Sequence, residues 1–134
     1  MRGIIFLLSV TTLTGCHNPP DADRRATDGA SKLRAYSEIH RLPSNSLVRV
    51  RGIAAVSHEK FGIYFRRRDY ARDSSACLRL DGADISRFRL KDALKVDVVG
   101  RVTRSKCAEE WICLEVCTEY DIKIERVRPL GSLN

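Results

Sequence analysis

The chain has 134 residues, a formal net charge of +7, and 31% charged against 43% hydrophobic residues. That length holds one small domain and excludes a second. A folded region of about 90 residues buries only a thin core, so covalent staples would help it.

Met1-Arg2-Gly3 is a minimal basic n-region, and Ile4 to Val10 form an apolar run that Thr11, Thr12 and Leu13 continue. The run is shorter than the roughly 20 apolar residues of a transmembrane helix and has the layout of an export signal. It ends in Leu13-Thr14-Gly15-Cys16, which resembles the lipobox of bacterial lipoproteins. The resemblance implies a signal peptide over 1–15, diacylglyceryl transfer to the Cys16 thiol, cleavage before Cys16 and acylation of the new amine. Two or more acyl chains make such anchoring stable. In lipoproteins of this type an Asp after the cysteine tends to hold the protein at the inner membrane. Here His17 follows, so the expected location is the outer membrane, facing the periplasm.

Residues 16–30 are polar, contain Pro19 and Pro20, and show no apolar period, which reads as a flexible tether. Leu33, Tyr36 and Ile39 are spaced three apart, consistent with a short helix ended by Pro43, so 31–46 reads as helix and turn. Strict alternation then begins. Val48, Val50 and Gly52 share one face and Arg49 and Arg51 the other, the pattern of a half-buried strand with a bend at the glycine. A second strand is expected over 61–65, and Arg66 to Asp73 is a charged loop. In the third, over 76–80, Leu78 and Leu80 face inward and Cys77 and Arg79 outward. Ile85, Phe88 and Leu90 suit an irregular or helical connection to a fourth strand over 94–102, with Lys95, Asp97 and Arg101 outside. Ile112, Leu114 and Val116 form one face of a further segment, with Trp111, Cys113 and Cys117 on the other. The last strand spans 120–127 and stops before Pro129, leaving 129–134 as a tail.

Cys77, Cys107, Cys113 and Cys117 are an even set in a small exported domain and read as disulfides. Three of them are close in sequence, so at least one bridge should close a local hairpin, and another could reach Cys77. Their spacing contains no C-x-x-C pair, so no metal site is expected. Redox or metal-handling chemistry at Cys107, Cys113 and Cys117 is the alternative. His17, His40 and His58 sit in no catalytic pattern, and His58-Glu59 reads as a solvated turn. No cofactor and no enzymatic activity are expected.

Two glycine-interrupted strands, three shorter ones and a connection between the third and fourth resemble an OB-fold, a small five-stranded barrel. The run from Val48 through Glu59, Ile63-Tyr64, Asp69 and Leu78-Arg79-Leu80-Asp81 is similar to a group of bacterial OB-like domains, several of them on lipoproteins. The resemblance implies a mainly β barrel over 47–128 and brings no catalytic residues with it. OB-folds bind ligands across strands 2 and 3, which would place Tyr64, Arg66, Arg67, Arg68, Tyr70 and Arg79 on a binding face. Arginine clusters bind envelope proteins or anionic polymers, and arginines interleaved with aromatics suit single-stranded nucleic acid. Export makes nucleic acid the lesser partner. Arg66–Arg68 also reads as a solvated loop that keeps a barrel edge from pairing.

Overall fold

Successive side chains on a strand point to opposite faces, so alternating segments bury one face and leave the other outward. The computed structural model, which describes residues 29–57, 60–108 and 113–133, forms six strands on this basis. They are β1 (Ser31–Leu33), β2 (Ser46–Ser57), β3 (Lys60–Tyr64), β4 (Cys77–Leu80), β5 (Leu94–Arg104) and β6 (Tyr120–Ser132). Two short helices, α1 (Arg67–Ala71) and α2 (Gly82–Arg87), follow β3 and β4. The leader, Cys16 and His17, together with His58, Glu59, Trp111 and Ile112, lie outside the described residues.

β2 pairs antiparallel with both β3 and β5, β3 pairs with β4, β4 runs parallel to β6, and β6 pairs with β5. The order β2-β3-β4-β6-β5 returns to β2 and closes a five-stranded barrel, the mainly β architecture expected and compatible with an OB-like fold. Val48, Val50, Ala54, Ile63, Leu78, Val96, Val98, Ile122 and Ile124 fill its interior. Closure needs close backbone approach at two glycines. A Cβ on Gly52 would strike the Tyr64 carbonyl oxygen, and one on Gly100 the Lys123 carbonyl oxygen. Gly100 also sits at a register shift between β5 and β6, where a bulge bends the ribbon.

The segment expected to be helical from Ser31 divides in two. Ser31–Leu33 pairs parallel with Val48–Val50, burying Leu33 and turning Lys32 outward. Tyr36–Arg41 forms a 3₁₀ helix, whose three residues per turn fit the three-residue apolar spacing better than an α-helix does. The charged loop is helical over Arg67–Ala71. β6 does not stop before Pro129. Pro129 lies opposite Val96, beside a second register shift, where a missing N–H is tolerated on an edge. The alternation across 112–116 yields no strand in its described part, and Leu114 is 86% exposed.

The disulfides pair Cys107 with Cys113 and Cys77 with Cys117. The first closes a local loop and the second ties that loop to β4. In the chain-entropy account a bridge stabilises more as its loop lengthens. The separations are 40 residues for Cys77–Cys117 and 6 for Cys107–Cys113. Replacing Cys77 and Cys117 by alanine should therefore cost about 4 kcal/mol, and replacing Cys107 and Cys113 about 2 kcal/mol. Urea unfolding of the two oxidised variants checks that order.

Candidate functional site

The outward face of β2, β3 and β4 is where an OB-fold presents its ligand surface. Here it carries Ala55, Tyr64 and Cys77, which are fully buried in a second apolar cluster with Cys117, Tyr70 and Val116. The cover is the β5–β6 connection, held down by Cys117. Gly62 has no side chain because the Cys117 sulfur occupies that space. Both faces of these strands are thus apolar and dry over this stretch.

The six candidate binding residues consequently divide. Tyr64 is fully buried, its ring edge-on to Tyr70 at 5.8 Å between centroids. Burial pushes its phenol pKa up, and its hydroxyl finds no hydrogen-bond partner among the described residues. The Tyr70 hydroxyl donates to Asp92 Oδ2 at 3.0 Å while Asp92 Oδ1 accepts from the Val56 amide, so Tyr70 fastens α1 to the end of β2. Arg79 donates through Nε and Nη2 to Asp121 at 2.6 and 2.8 Å and through Nη1 to Glu115 at 3.1 Å. Its guanidinium is committed to joining β4, β6 and the covering loop. Only Arg66, Arg67 and Arg68 stand exposed, and their side chains make no hydrogen bond or ion pair among the described residues. The basic, aromatic groove expected from the sequence is not assembled on the strand face.

A cleft of about 590 Å³ does open beside Arg79, lined by Phe61, Thr103, Glu115, Asp121 and Lys123. Its charged lining sets Asp81, Glu115 and Asp121 against Arg79 and Lys123, so it offers no net attraction for a polyanion. Cys107, Cys113 and Glu115 bring two sulfurs and a carboxylate within 4.8 Å of one another, but disulfide sulfurs offer no thiolate to a metal. His40 meets the Tyr120 hydroxyl at 2.9 Å and Tyr36 donates to Glu119 at 2.9 Å, contacts that seat the 3₁₀ helix against β6.

A second positive surface lies on the outward face of β1, β2 and β6, around Asp97 of β5. Asp97 of β5 stands opposite Arg51 of β2 and Arg128 of β6. Arg49 grips it with two bonds, Nε to Oδ1 at 2.8 Å and Nη2 to Oδ2 at 2.6 Å. Arg51 Nε and Arg128 Nη2 add contacts at 3.3 and 3.0 Å. The Asp97 side chain is 3% exposed, whereas those of Arg49, Arg51 and Arg128 are 32%, 57% and 62% exposed. Lys32 and Arg34 continue the row, lining a depression of about 290 Å³ with Arg49 and Arg51. In the sequence these residues look like the ordinary solvated face of two strands. The one available signal is an aspartate on the outward face of a strand whose partner strands turn arginines to the same side.

Comparison with known protein families, curated proteins and solved structures gives no match for this chain.

The hydrogen bonds and charges of Arg49, Arg128 and Arg51 hold the Asp97 carboxyl well below the usual carboxylate range. The native state therefore binds fewer protons in acid than the unfolded chain. Its contribution is complete above the unfolded carboxyl pKa of about 3.9 and is lost as pH falls from there through the depressed native value. Asp97→Asn should lower stability at pH 7 by about 2 kcal/mol, less than breaking a fully buried pair because its partners remain half in water. It should also flatten the loss of stability between pH 5 and pH 2.5, read by urea midpoints at both ends.

Proposed function

We propose that this protein is a lipid-anchored, non-catalytic binding module of the cell envelope, whose α1 arginines engage an anionic envelope protein or polymer. The observation that carries this reading is the contrast between the two sets of candidates. Tyr64, Tyr70 and Arg79 serve the fold, while Arg66, Arg67 and Arg68 project with no partner among the described residues. A guanidinium is weakly hydrated and pairs bidentately with carboxylate, phosphate or sulfate. Arg66 at the N-cap and Arg67 and Arg68 in the first turn of a short helix that Tyr70 pins to β2 form one contact surface.

The lipobox at Leu13–Cys16 and an even set of bridged cysteines support export to an oxidising compartment. A single-strand nucleic-acid site is less well supported. Its stacking platform would be Tyr64 and Tyr70, and the first is buried and the second hydrogen-bonded. Redox or metal handling would begin with reduction of the Cys107–Cys113 bridge.

Affinity capture from solubilised envelopes tests the binding reading. Arg66→Ser/Arg67→Ser/Arg68→Ser should lose at least one partner that the unaltered protein retains, and identical partner profiles refute the role of α1. Intact mass of the membrane-extracted protein tests the anchor. Acylated protein starting at Cys16 is expected, and an unmodified chain starting at Met1 refutes it.

A further inference from the structure

The cation row on β1, β2 and β6 lies apart in sequence from α1 and is not used by the binding reading above. We infer that this row is a membrane-docking surface for the phosphoryl headgroups of anionic phospholipids. The choice of a lipid surface rests on the anchor reading.

Among the described residues, Lys32, Arg34, Arg49, Arg51 and Arg128 have two carboxylates in hydrogen-bond contact, Asp97 and Glu38, which leaves these seven groups a net charge of +3. Asp97 does not neutralise the row so much as fix it. Arg49 keeps Nη1, Arg51 both Nη groups, and Arg128 its Nε and Nη1 free of bonds to described residues. Glu38 accepts the Arg34 backbone amide, which leaves the Arg34 guanidinium without a partner among the described residues. Arg49 and Arg51 of β2 and Arg128 of β6, held by one buried carboxylate on β5, present donors in a fixed array at little further entropic cost. Repeating phosphates on a surface match such an array, and each pairs well with a guanidinium.

The position of the row selects its occupant. β1 is the first strand after the tether, and its Lys32 and the following Arg34 belong to the row. Fourteen residues lie between Cys16 and Ser31, a reach of about 50 Å at full extension. The positive face therefore sits at the point where the chain arrives from its lipid. One lipid signal holds weakly and a second, electrostatic one strengthens it.

Vesicle sedimentation tests this with the chain from residue 16 carrying Cys16→Ser, which keeps every described element and has no acyl chain. Vesicles of phosphatidylcholine with one third phosphatidylglycerol should pellet it at low salt, and pure phosphatidylcholine vesicles should not. Raising salt through the range where the screening length falls from about 30 to 8 Å should release it. Each cation near such a surface changes partition about fivefold, so Lys32→Ser/Arg34→Ser should weaken binding about 25-fold. Lys91→Ser/Lys106→Ser, at two exposed lysines outside both the row and α1, removes the same charge and should change binding less than threefold. Absence of binding to the anionic vesicles at low salt, or equal losses in the two variants, overturns the inference. Because the probe carries no lipid, these outcomes are independent of whether Cys16 is acylated, which the mass measurement decides.

Discussion

The structure depends on one strand pairing with two partners at once. β2 is bonded to β5 from Ser46 to Ala54 and to β3 from Ile53 to Ser57, so it belongs to both walls of the barrel. The change of partner occurs at Gly52, where the absent Cβ lets the Tyr64 carbonyl approach. Curvature at that point closes the sheet and removes open edges over most of the barrel. It also divides the outward side of β2 into two surfaces of different character. Arg49 and Arg51 lie before the bend and face water, while Ile53 and Ala55 lie after it and are buried.

The covering of the second surface follows from the size of the domain. A barrel this small encloses few side chains, and the second cluster under the β5–β6 connection adds apolar burial outside it. The Cys77–Cys117 bridge and the Arg79–Glu115 ion pair fasten that cover to β4. A surface closed in this way has little left to offer a ligand. Charges free of structural work remain at the rim, on Arg66, Arg67 and Arg68, and on the opposite wall Asp97 arranges those of Arg49, Arg51 and Arg128.

Much of the barrel was legible because its strands obey the two-residue period. Leu78 and Leu80 inward and Arg79 outward, or Val96 and Val98 inward and Lys95 outward, follow from alternation alone. What alternation cannot reveal is whether the outward face meets water. Tyr64 and Cys77 point out of the barrel and are nonetheless fully buried, because a loop forty residues distant in sequence from Cys77 lies on them. The same limit hid the basic row. Asp97, Arg49, Arg51 and Arg128 come from three strands, and no local pattern reports that their outward faces converge. Leu33, Tyr36 and Ile39 were visible as a helical spacing, but the parallel pairing of β1 with β2 outweighed helix propensity over Ser31–Leu33.

The two bridges make the fold conditional on its redox surroundings. With Cys77 and Cys117 reduced, the cover keeps the Arg79–Glu115 ion pair and loses its covalent hold. Tyr64 and Ala55 then depend on contacts that are partly open to water. Surface ion pairs contribute little by themselves, whereas a bridge across 40 residues constrains the unfolded chain strongly. The apolar cover on β2–β4 is thus a feature suited to an oxidising compartment. In a reducing one the cover over Ala55, Tyr64 and Cys77 loses its covalent tie to β4.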